Sequence, residues 1–121
     1  MDKPHKNLKA WQLAMNVAEQ IYSVTESFPA DEKFGLVTQM RRSAVSIPSN
    51  IAEGAGRNTK KEFVNFLHIA QGSLSELDTQ WELSLRLNYI DENKWKLLNT
   101  LFIKEDKIIS GLIRSQKEID R

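Results

Sequence analysis

The sequence predicts an all-α protein folded as a single antiparallel up-down bundle of four helices. Three observations carry this. Apolar residues recur every three or four positions along nearly the whole chain, which is the period of a helix with one buried face. Only five glycines and three prolines punctuate the 121 residues, and they fall mostly where that phase is lost. No stretch alternates apolar and polar residues for long enough to make a strand. Four long helices joined by short turns form an up-down bundle, and 121 residues suffice for one domain with its own core.

The first helix is expected over about residues 5–27. Leu8, Trp11, Met15, Ala18 and Tyr22 form one stripe at about 100° per residue, and Leu13, Ala14, Val17, Ile21 and Val24 widen it. Phe28-Pro29 ends it, because the residue before proline resists the α region. The second helix is expected over about 32–55, opening on the acids Asp31 and Glu32. Its stripe, Leu36, Met40, Ala44, Ile47, Ile51 and Ala55, keeps phase through Pro48. That predicts one helix kinked at the proline rather than two separate ones.

A capping box, Thr59-Lys60-Lys61-Glu62, starts the third helix, expected over about 60–88. Phe63, Phe66, Leu67, Ala70, Leu74, Leu77, Trp81 and Leu85 lie along its stripe. Asp91 is an N-cap for the fourth helix, expected over about 92–118, with Trp95, Leu98, Phe102, Ile109 and Ile113 in phase and Leu101, Ile108 and Leu112 beside them. The stripes of the first and fourth helices are wider than the three positions in seven that a bundle core needs. The excess reads either as a generous core with scattered surface apolar residues or as a second buried face against another subunit. The second reading, a homo-oligomer, is preferred.

Composition narrows the chemistry. There is no cysteine, which excludes disulfides, thiolate metal sites and a cysteine nucleophile. His5 and His68 are the only histidines, and Asn65 stands where a Glu-x-x-His di-iron pair would need Glu. No metal, no cofactor and no catalytic residue are therefore expected, and the chain reads as non-enzymatic. The N-terminal segment has no uninterrupted apolar run after its basic start, and no segment approaches the length of a membrane span. The expectation is a cytoplasmic protein with no membrane contact.

Two polar features stand out. Arg42, Ser46, Asn50, Glu53 and Arg57 form a stripe within about 80° on the second helix. It reads as a solvated face or as a polar network within or between subunits. Ser43, Ala44, Ser46, Ser49, Ala52, Gly54 and Ala55 would let another backbone approach closely. Gly54 to Lys61 combines glycines, three bases and a helix N-terminus, the ingredients of an anion site, without P-loop spacing. The net charge is only +1, yet residues 33–61 sum to +5 and residues 62–92 to −5. These blocks read either as complementary surfaces between neighbouring helices or subunits or as a basic patch for RNA or DNA phosphates, with Arg41, Arg42, Arg57, Lys60 and Lys61 as its candidate contacts.

The run from Gln39 to Arg57, QMRRSAVSIPSNIAEGAGR, closely resembles the signature of a bacterial four-helix bundle family encoded in intervening sequences of large-subunit ribosomal RNA genes. Glu62-Phe63, the segment from Phe66 to Leu77, Trp11-x-x-Ala14, Phe28-Pro29 and Gly35-Leu36 resemble the same pattern, so the likeness spans nearly the whole chain. That family is similar to the accessory variability protein of diversity-generating retroelements, a pentameric barrel of four-helix bundles that binds nucleic acid through a basic surface. The resemblance implies a pentamer, with the wide stripes as subunit interfaces. The reading is a non-enzymatic homo-oligomer with nucleic-acid contacts around the second helix and the turn after it. The alternative is an assembly or adaptor protein that binds a protein partner without nucleic acid.

Overall fold

A computed structural model describes residues 3–119 and contains four long helices. They are α1 (Lys9–Thr25), α2 (Leu36–Ala55), α3 (Lys60–Arg86) and α4 (Glu92–Ile119). Among the described residues there is no strand. The cross-helix contacts fix their directions. Ser43 meets Glu76, Ser46 meets Ser73 and Gly54 meets Phe66, so α2 and α3 run antiparallel. Trp81 reaches Trp95 while Gln71 reaches Ser110, so α3 and α4 do as well. Each helix packs on the next, and α1 closes the bundle against α4.

Local chemistry explains the boundaries. Pro4–Asn7 forms a separate single turn before α1. At the other end of α1, Arg41 donates from Nε to Thr25 Oγ1 at 3.0 Å and from Nη2 to the Tyr22 carbonyl at 3.2 Å. A cation thus meets the carbonyl end of a helix, where the dipole is negative. The second helix starts at Leu36, later than the acids Asp31 and Glu32 led us to expect. Those acids lie in a short turn of their own, and Gly35, at φ −115° and ψ −108°, breaks the path between the two. Glu32 still serves the helix start from outside, its Oε1 accepting from Leu36 N at 3.3 Å.

Pro48 lies inside α2, which is continuous from Leu36 to Ala55. Around the missing N–H, Ser49 Oγ donates to the Val45 carbonyl and Asn50 Nδ2 to the Ser46 carbonyl, both at 2.8 Å. Thr59 Oγ1 accepts from Glu62 N at 3.1 Å, capping α3 as its sequence predicts. That helix ends on Asn88 at φ 62°, with Tyr89 N bonded to the Ser84 carbonyl and Asn88 N to the Leu85 carbonyl. This is a Schellman closure with asparagine in the left-handed position. Asp91 Oδ1 accepts from Lys94 N at 2.7 Å and caps α4.

The centre of the core is built on Ile21, Met40, Ile47, Leu67, Trp81 and Ile109, all fully buried. On α1 the buried face is Ala10, Ala14, Val17, Ala18 and Ile21. Met15 and Tyr22 lie at its edge and are exposed. Part of the extra width on α1 and α4 is used within the chain, because Leu13, Val24, Leu101, Ile108 and Leu112 are half-buried against the core.

Candidate functional site

The five candidate basic residues do not form one cluster. Arg42 and Arg57 are fifteen positions apart along a helical path, or about 22 Å at 1.5 Å per residue. Arg41 is half-buried, holds the end of α1 and stacks over the Tyr22 ring at 4.5 Å. Its charge is committed to the fold. Arg42 is exposed beside it. At the far end, Arg57 pairs with Glu53 at 3.3 Å and lies over the Phe66 ring at 4.9 Å. Lys61 is exposed and Lys60 half-buried. The turn after α2 thus presents Arg57 and Lys61 to solvent, and Arg42 stands alone farther along the same helix.

The polar stripe divides along its length. Ser46 and Ser73 share a 2.8 Å hydrogen bond across the α2–α3 seam, and Asn50 Nδ2 donates to Ser46 Oγ at 3.0 Å. Ser43 Oγ donates to Glu76 Oε2 at 3.2 Å one turn away. Arg42, Glu53 and Arg57 remain on the outside. The close approach that the small residues of α2 predict is made by α3 of the same chain. A Cβ at Gly54 would lie 2.7 Å from Phe66 Cβ and 2.9 Å from Phe63 Cδ1.

A groove of about 640 Å³ lies between the outer edges of α1 and α2. Trp11, Met15, Tyr22, Val45, Pro48 and Ala52 line it, with Glu19 and Glu26 on its α1 wall. Met15, Tyr22 and Val45 are each about two-fifths exposed (37%, 43% and 42%). Other large apolar side chains project from different faces, Ile69 and Leu83 from α3, Leu97 and Ile103 from α4.

One buried group escaped the sequence reading. Glu105 lies on the core face of α4 with no exposed surface, and neither carboxylate oxygen has a hydrogen-bond partner. Burial pushes its carboxyl up to about 8. Its register signal was present: Leu98, Phe102, Ile109 and Ile113 are all buried, and position 105 falls between them in the same phase. On α3, where Asp78 borders a groove shared with Asn99 and Ile103 of α4, burial and then the neighbouring Glu82 raise its carboxyl above the ordinary value. Tyr89 donates to Glu32 Oε2 at 2.7 Å, and that bond holds its phenol above the ordinary value.

The histidines are apart. His68 is exposed on α3, and His5 sets its ring edgewise on Trp11 at 5.0 Å. Among the described residues no group of three or more His, Cys, Asp or Glu is placed to hold a metal ion. Among the same residues no helix is long and apolar enough to cross a membrane.

Fold and surfaces together define an all-α four-helix bundle that carries exposed apolar and basic patches. Residues 6–111 match the 23S rRNA-intervening sequence protein family, and the chain belongs to that family. It is also similar to a solved structure from Bacteroides thetaiotaomicron, a protein of unknown function from the S23 ribosomal protein family. That likeness has a TM-score of 0.80 at 24% identity and covers 87% of this chain and 95% of the other. At that identity it speaks for the fold alone. None of the curated proteins compared with the chain matches it.

Proposed function

We propose that this protein is a non-enzymatic subunit of a homo-oligomer, a pentameric ring, whose basic surface holds RNA through its phosphates. The observation that carries the assembly is the apolar groove between α1 and α2, with Met15, Tyr22 and Val45 open to solvent. Such a surface in a small domain marks an interaction site. The exposed apolar residues of α3 and α4 lie on other faces, and a ring joins two different patches head to tail.

RNA is the polyanion to test because the family description names a 23S rRNA intervening sequence. Repeating Arg42, Arg57 and Lys61 around a ring would multiply a monomer charge of only +1 into several phosphate contacts.

Native mass spectrometry at micromolar concentration tests the assembly. The expected mass is five chains, and a mass of one chain refutes it. Met15→Lys with Val45→Glu is expected to yield monomers of unchanged helix content. Fluorescence anisotropy with labelled RNA tests the binding, with affinity falling steeply as salt rises. Arg42→Glu with Lys61→Glu is expected to abolish retention while the oligomer persists. Unchanged retention would favour the adaptor reading, which the internal use of Arg41 and the pairing of Arg57 support. In that reading the same groove takes a protein partner.

A further inference from the structure

Glu105 occupies a core position that a bundle ordinarily fills with Leu or Ile. Phe102, Asp106 and Ser110 of α4 meet Trp81 and Gln71 of α3, and Asn99 and Ile103 border the same seam. Glu105 stands about 100° round the helix from Asp106, on the side of Leu101, Ile108 and Leu112. It therefore faces the seam that α4 makes with α1. That seam is the least extensive of the four between long helices, and no turn ties its two members together.

No counter-charge enters with it. The ionisable residues of the surrounding elements are Lys9, Glu19, Tyr22 and Glu26 on α1, and Arg41, Arg42 and Glu53 on α2. On α3 they are Lys60, Lys61, Glu62, His68, Glu76, Asp78, Glu82 and Arg86, and on α4 itself Glu92, Lys94, Lys96, Lys104, Asp106, Lys107, Arg114, Lys117 and Glu118. None of them is buried. A lone carboxylate in a dry core is not sustained; it takes up a proton or moves to water.

We propose that Glu105 is a proton latch on α4: protonated, it lets the helix lie against α1, and ionised, it draws that face of the helix out toward water. Burial alone pushes its carboxyl up to about 8, so the latch loosens close to neutral pH. The folded chain keeps this proton at pH values where the unfolded chain, with a carboxyl near the ordinary 4.5, has lost it. The contribution to stability is thus full below about pH 4.5 and is lost as pH rises to about 8.

Urea unfolding of the wild type, Glu105→Gln and Glu105→Leu between pH 5 and 8.5 tests this. Relative to either variant, the wild-type ratio of folded to unfolded chain is expected to fall about tenfold per pH unit up to about pH 8. Amide exchange at pH 8.5, corrected for the intrinsic rate, is expected to be faster across residues 101–112 in the wild type than in either variant, with α2 and α3 unchanged. Wild-type stability running parallel to both variants across the range would overturn the proposal. Should neither variant fold, a carbon-13 titration of the wild-type Glu carboxyls decides. A midpoint near 8 supports the latch, and only ordinary midpoints with the bundle intact refute it.

Discussion

The seam between α2 and α3 and the seam between α1 and α4 use opposite strategies. At the first, Gly54, Ser43, Ser46 and Ser73 bring the helices close, and each serine that enters the seam has a hydrogen-bond partner there. At the second, larger residues such as Leu13, Val24, Leu101 and Ile108 pack half-buried, and the polar group that enters, Glu105, has no partner. The difference lies in available donors, not in polarity. A hydroxyl can both donate and accept, so two serines satisfy each other; a carboxylate only accepts and finds nothing to accept from. A satisfied buried pair contributes about 0.5–1.5 kcal/mol, whereas an orphaned group costs about 1–3 kcal/mol. One seam is thereby fixed and the other made conditional on a proton.

The largest effect expected from breaking the tight seam comes from Gly54→Ala. The added methyl would lie 2.7 Å from Phe66 Cβ, an atom held by its own backbone, so the two helices have to separate. A loss of about 1–3 kcal/mol is expected, read as a fall of several degrees in melting temperature. The control is Gly72→Ala on α3, where a Cβ meets nothing within 4 Å. Relief of helix-glycine entropy there is expected to add about 0.5–1 kcal/mol. If both alanines stabilise, the close approach at Gly54 is not a constraint.

The serine pair sharpens the comparison. Ser46→Ala leaves Ser73 short of a partner and is expected to cost about 1 kcal/mol. Adding Ser73→Ala is expected to recover most of that, since removing both hydroxyls leaves no orphan. A double-mutant cycle by urea unfolding measures it, and strict additivity would mean that the bond contributes nothing.

Much of this was legible in the sequence, and what was missed has physical causes. The helical phase of Leu67, Leu74 and Trp81 and the caps at Thr59 and Asp91 are local signals, and local signals persist into the fold. The small-residue face of α2 was legible as a close approach but not as to its partner, because a spacing of serines and glycine cannot say which backbone comes near. Arg41 reads as a free charge in sequence; only the path of the chain reveals that the end of α1 lies beside it. Glu105 was hidden by the expectation that charge faces water, although its register placed it in the core. The start of α2 was shifted because a glycine's ψ is not written in its neighbours.

A change at the outer edge of the tight seam separates stability from binding. Arg57 pairs with Glu53 four residues earlier on the helix, with the two side chains 44% and 56% exposed, and it stacks over Phe66. Water screens such a pair, which is worth about 0.2–0.5 kcal/mol, and an exposed cation over a ring adds about 0.5–1 kcal/mol. Arg57→Ala is therefore expected to cost less than about 1.5 kcal/mol, with the ion-pair part vanishing at high salt. If the same guanidinium contacts a phosphate, the variant's RNA affinity drops and its salt slope falls by about one for each ring position lost. Thermal unfolding and salt-titrated anisotropy on one preparation read both quantities. A variant that loses stability but keeps the wild-type salt slope would return Arg57 to the α2–α3 seam and leave the RNA contact to Arg42 and Lys61.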